Sequence, residues 1–171
     1  MTAPAAPAAV MIDAFEFCRT NSTREGVTPV AEMTRLVRDC ADPSGAITWR
    51  AAGSTSKQGY PQLRMSVAGT VQLVCQRCLQ PFAYEIDSAT TLMLGESDAH
   101  ADEIEEIVDD ETIDVIVGTR SMNLMDLIED EALLALPQAP KHDVCPDTAL
   151  LDAVKSEKKS PFDALKELKK S

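Results

Sequence analysis

Apolar and polar residues alternate most regularly over residues 63–86. Leu63, Met65, Val67, Val71 and Leu73 take the odd positions, with Arg64, Ser66, Thr70 and Gln72 between them. A period of two is that of a strand with one buried face. Gly69 falls on the apolar side, where the missing side chain marks a bulge or bend. Beyond Cys75-Gln-Arg-Cys78-Leu-Gln-Pro81 the apolar residues shift to even positions, Phe82, Tyr84, Ile86, Leu92 and Leu94. The pattern therefore predicts two long antiparallel strands that meet at the cysteine pair. Ile47, Trp49 and Ala51 alternate in the same way and predict a strand ahead of a polar loop over 53–59. Phe15 and Phe17 share a face in a short strand predicted within 13–20, and Ile113, Val115 and Val117 predict a last strand before Gly118.

Two stretches carry helical spacing instead. Thr28-Pro29 supplies an N-cap and a first-turn proline, and Val30, Met33, Leu36, Val37 and Cys40 continue a stripe, predicting a helix over 29–40. Leu124, Leu127, Ile128 and Leu134 predict a second helix over 121–136, with Asp126, Glu129 and Asp130 largely outside the stripe and Pro137 as its stop. Residues 95–111 are acidic and read as a loop. The Ala/Pro-rich residues 1–10 read as a disordered leader, and 147–171 as a Lys-rich, partly disordered tail in which Phe162, Leu165 and Leu168 fit two marginal helical turns. Residues 11–146 then form a single α+β domain: a mostly antiparallel sheet or small open barrel with two main helices, between flexible termini.

Composition agrees with a folded domain. The 171 residues are 44% hydrophobic and 26% charged, which excludes wholesale disorder. No apolar run nears the ~20 residues of a membrane span, and the start lacks the regions of a secretory signal, so the expected location is the cytoplasm. The net charge of −12 is concentrated: residues 85–154 hold 2 Lys+Arg against 19 Asp+Glu, while 1–84 net +2 and 155–171 net +3. Phosphate binding needs a basic face, so the acidic block argues against RNA over most of the surface. It suits a solvated face, or the attraction of a basic partner such as a ribosomal protein.

Five cysteines without an export signal point to reduced thiols or metal ligands rather than disulfides. Cys75-x-x-Cys78 at a hairpin turn has the spacing of a zinc knuckle, and His142-x-x-Cys145 supplies two further ligand types of the right chemistry. Two other readings stand beside zinc: reduced cysteines packed at a turn with His142 simply exposed, and a thiol-redox pair. Redox pairs usually open a helix, which lowers the thiol pKa, whereas strands flank this one. Cys18 and Cys40 read as packing residues. Arg77 would project outward from a knuckle toward phosphate or carboxylate; Arg64, Lys166, Lys169 and Lys170 are the other cations offered to RNA or a partner. Enzymatic constellations are weak: His142 and Cys145 are a poor preorganised base and nucleophile, residues 102–114 lack the spacing of a calcium loop, and no Gly-rich phosphate loop occurs. No catalytic residue is assigned, and the expected protein is not an enzyme.

Several segments in order resemble the YceD family of large ribosomal RNA subunit accumulation proteins: residues 71–82 around the cysteine pair, 126–137 ending in Leu-Pro, Pro140-Lys-His142 with Cys145 soon after, and 161–169. The resemblance spans about residues 12 to 170. It implies a bacterial or plastid, non-enzymatic ribosome-biogenesis factor supporting synthesis, processing or stability of the large-subunit (23S) rRNA. It acts on the rRNA or its precursor, directly or through a basic ribosomal protein. Cys75 and Cys78 match the family motif directly. The alternatives are a thiol-redox protein and a zinc-knuckle RNA-binding module.

Overall fold

The computed structural model describes residues 9–110 and 112–146. The expected leader up to residue 8 and the tail from 147, with Lys166, Lys169 and Lys170, lie outside the described residues. Along the chain the elements are β1 (Met11–Ile12), α1 (Ala14–Arg19), β2 (Thr23–Pro29), a 3-10 turn (Val30–Glu32), α2 (Leu36–Asp39), β3 (Ala46–Thr55), β4 (Pro61–Val74), β5 (Pro81–Gly95), α3 (Asp98–Val108), β6 (Asp114–Val117), β7 (Met122–Asn123) and α4 (Leu124–Leu134). The architecture is α+β. A five-stranded sheet runs β2-β3-β4-β5-β6, antiparallel except for the parallel β5–β6 pair, and β1 pairs with β7 in a small second sheet. The large sheet ends at β2 and β6, so it does not close into a barrel.

The period-two residues build the core as their alternation predicts. Ile47, Trp49, Ala51, Leu63, Met65, Val67, Val71, Leu73, Ile86, Leu92 and Leu94 are all buried in one cluster with Leu124, Met125 and Ile128 of α4. Gly69 does not mark a bulge. Pairing with β5 runs unbroken through it, opposite Ile86, and the pairing with β3 ends on it, opposite Ile47. A Cβ at this position would stand 2.3 Å from the carbonyl oxygen of Ala46, so the glycine allows a close backbone approach.

Four local expectations change. The segment after Asp13 is helix α1, because the Asp13 carboxylate accepts the amides of Phe15 and Glu16 at 3.1 Å and caps it. Its buried residues, Ala14, Phe17 and Cys18, follow helical spacing that the Phe15/Phe17 alternation masked. Residues 29–40 form no continuous helix. Thr28 and Pro29 end strand β2, and the Thr28 hydroxyl accepts the indole N–H of Trp49 at 3.0 Å instead of capping a helix. Val30, Met33 and Leu36 are fully buried all the same, since a spacing of three also suits a 3-10 turn.

The acidic segment is not a loop. Ser97 caps α3 by accepting the His100 amide, and Ala101 and Ile104 are its buried contacts. A parallel β5–β6 pair requires a crossover, which α3 provides. In α4 the predicted stripe holds at Leu124, Leu127 and Ile128 and fails at Leu134, which is 81% exposed, while Glu129 and Glu131 are buried beside Ile128 and Ala132.

Candidate metal centre

The β4–β5 turn is short and closed by backbone hydrogen bonds. Cys75 N–H donates to the Gln80 carbonyl at 3.0 Å and Leu79 N–H to that of Cys75 at 2.8 Å. Leu79 takes a left-handed conformation, φ 61°. This turn presents Cys75 and Cys78 to the segment that follows α4. Gln76 N–H donates to Pro140 O at 2.8 Å, and Tyr84 hydroxyl to Ala135 O at 3.1 Å, which seats that segment across the hairpin.

His142 and Cys145 are thereby brought to the cysteine pair. The four ligand atoms lie within 4.8 Å of one another, with Cys75, Cys78 and Cys145 buried and His142 half-buried. Cys75 Sγ and Cys145 Sγ are 3.8 Å apart, and Cys78 Sγ and His142 Nδ1 are 3.4 Å apart. Zinc bonds of about 2.3 Å to sulfur and about 2.0 Å to nitrogen make the edges of a tetrahedron about 3.8 Å between sulfurs and about 3.5 Å between sulfur and nitrogen. Those two pairs already stand at such edges. Three thiols and an imidazole are a closed ligand set of the structural type, leaving no position for a reacting water. The residues fit a soft divalent ion. Its chemistry here would be to cross-link two chain segments.

Second contacts hold the ligands in place. Cys75 Sγ accepts the amide N–H groups of Arg77 and His142, each at 3.4 Å. The Phe82 ring lies 4.9 Å from the His142 ring, tilted by 42°. Burial opposes ionisation of Cys75, yet the N–H donors of Cys78, His142 and Arg77 and the His142 side chain outweigh it and bring the thiol down to about 5. Cys145 is pushed up to about 11 by burial and by hydrogen bonds shared with Cys78 and Cys75. Cys75 is thus the more readily ionised of the two. Cys40 is also raised to about 11, by burial and by Asp39 and Asp42, and burial raises Cys18; both sit in or against the apolar core.

A model of the family described as Large ribosomal RNA subunit accumulation protein YceD matches residues 63–169. The chain belongs to the YceD family. The match begins at β4, so the first three strands of the large sheet's order contribute only β4 to it, and it contains Cys75, Cys78, His142 and Cys145. No solved structure matches the chain. The family's description connects it with accumulation of large-subunit rRNA.

The other residues singled out in the sequence fall elsewhere. Arg64 is exposed on the outer face of the sheet, where it lines an open groove with Arg50, Ser66 and Thr91. Arg77 is exposed but does not simply project: its Nη2 donates to the His142 carbonyl at 3.2 Å. The carboxylates at 96, 98, 102, 103, 105, 106, 109, 110 and 114 are all exposed on and around α3, and among the described residues none forms an ion pair.

One polar cluster escaped the sequence pattern. Glu129, 4% exposed, accepts the amides of Arg35 and Leu36 at 2.7 and 3.0 Å and the Arg35 Nε at 3.0 Å; the Arg35 guanidinium also pairs with Asp130 and donates to Asp126 O. Helix α4 is tied in this way to α2, although 94 residues separate Glu129 from Arg35. Periodicity assigned Glu129 to the solvent side because it is charged. The one available signal was the position of Glu129 inside the family-like segment 126–137.

Proposed function

We propose that this chain is a non-catalytic ribosome-biogenesis factor of the cytoplasm that supports accumulation of the large-subunit (23S) rRNA. In this reading zinc holds the Cys75–Cys78 hairpin to the His142–Cys145 segment. The observation that carries it is the family match, which runs through all four ligands. The closed Cys3His set supports a structural rather than a catalytic ion. The exposed carboxylates around α3, free of ion pairs among the described residues, support a basic ribosomal protein as the partner through which the chain reaches the rRNA.

The test is the ratio of large- to small-subunit rRNA in cells depleted of the protein and complemented with wild type or with Cys75→Ser/Cys78→Ser. The expected result is a lower ratio that wild type restores and the double variant does not. An unchanged ratio on depletion sinks the assignment. A thiol-redox reading has one observation in its favour, the lowered Cys75 thiol 3.8 Å from Cys145. Zinc analysis with thiol titration separates the two: one zinc per chain supports the knuckle, and a reversible disulfide without metal supports redox chemistry.

A further inference from the structure

Arg77 stands between the two cysteines of the hairpin, the place where the sequence offers it to RNA or a partner. Its contacts lead inward to the cluster. The backbone N–H donates to Cys75 Sγ at 3.4 Å, and the guanidinium Nη2 donates to the carbonyl of His142 at 3.2 Å. One residue therefore touches both arms of the ligand set: the hairpin arm through its main chain and the post-helix arm through its side chain. Among the described residues no other Lys or Arg hydrogen-bonds to any of the four ligands.

The ligand set needs such a cation. Three thiolates around a divalent ion leave one excess negative charge, and all three cysteines are buried. Buried charge is costly unless a partner offsets it. We propose that Arg77 is a positioning residue of the metal centre, whose guanidinium fixes the His142 arm and balances the charge of the three-thiolate site. The inference rests on the metal reading above. It assigns to the metal the arginine that the sequence offered to RNA or a partner.

The two ties of Arg77 can be separated. Any residue but proline keeps the N–H to Cys75 at this position, so Arg77→Ala removes the guanidinium alone. Arg77→Lys keeps the charge without the planar fork, and Arg77→Gln keeps a donor without the charge. Full-length protein is titrated with Zn²⁺ against a chromophoric chelator, and with Co²⁺ to read the thiolate absorption.

Outer-shell partners of metal ligands typically contribute 10- to 100-fold in affinity. The expected result is one metal per chain in every variant, an unchanged Co²⁺ spectrum, and affinity about tenfold or more weaker in Arg77→Ala. Arg77→Lys is expected to retain more affinity than Arg77→Gln, with a gap that narrows at high salt. Arg64→Ala, on the outer sheet face, retains wild-type affinity. Wild-type affinity in Arg77→Ala overturns the proposal, as does a variant that loses binding to an rRNA fragment while its metal affinity stays intact. Wild-type protein that takes up no metal sinks the zinc reading as well, so the two failures are told apart.

Discussion

Glu129 shows how a single buried carboxylate can organise two distant elements. At 4% exposure it is shielded from bulk solvent, and its carboxylate is met by two amide N–H groups and a guanidinium. Removing one member of such a group strands the others, at a cost of several kcal/mol when burial is complete. Arg35 is 42% exposed at its side chain, which lets water compensate part of the loss. Glu129→Ala is expected to lower unfolding stability by about 3 kcal/mol, measured by urea denaturation at neutral pH. A change under about 0.5 kcal/mol, the range of ordinary surface substitutions, would show that the network is dispensable. The cysteines make a second prediction at this scale. Cys145 keeps its proton up to about 11 whereas Cys75 has lost its own above about 5, so metal uptake at pH 7 must expel at least one proton. Affinity should then rise by about tenfold or more per pH unit through neutrality, and steepen below about 5 as Cys75 protonates too. Calorimetry in buffers of different ionisation enthalpy counts the protons; a count of zero contradicts the assignment of the bound thiol.

At the scale of elements, the period-two strands were legible because burial on one face leaves an alternating record in the residues. The long hairpin and β3 carry that record over ten or more positions. Short elements do not. In α1, six residues fit either period until the Asp13 cap is seen to close on its amides. In α3 only Ala101 and Ile104 are buried, and that sparse pattern was outweighed by the charge around it. The 28–29 pair has the chemistry of a helix start, but Trp49 competes for the Thr28 hydroxyl from a strand 21 residues away. The segment after α4 behaves differently again. Between residues 137 and 146 Cys145 alone is buried, so the segment has almost no apolar anchor of its own. Chelation should release it, and trypsin should then cut after the exposed Lys141 at least tenfold faster than in the metal-loaded protein. Equal cleavage rates would mean that the hydrogen bonds to Gln76 and Arg77 hold the segment without metal.

For the whole molecule, the acidic surface around α3 and the cysteine hairpin with its candidate ligands are separate features. The carboxylates on and around α3 are exposed and free of ion pairs among the described residues, which makes their field available to a partner. A complex with a basic large-subunit protein should form at low ionic strength and weaken by at least tenfold between about 50 and 300 mM salt, because screening shortens the reach of exposed charges to about 10 Å or less. Salt-independent binding, or none, would remove the acidic surface from the mechanism. By itself the sequence determined the strand-rich core, the cysteine hairpin and the concentration of charge, since each is written in local period, spacing or composition; the family came from ordered segments that resemble its members. Only the tertiary structure decided that 14–19 and 98–108 are helical, that Glu129 is buried, and that Arg77 turns toward His142. The last two outcomes depend on partners tens of residues away, and a local pattern holds no record of which distant group supplies the missing hydrogen bond or the opposite charge.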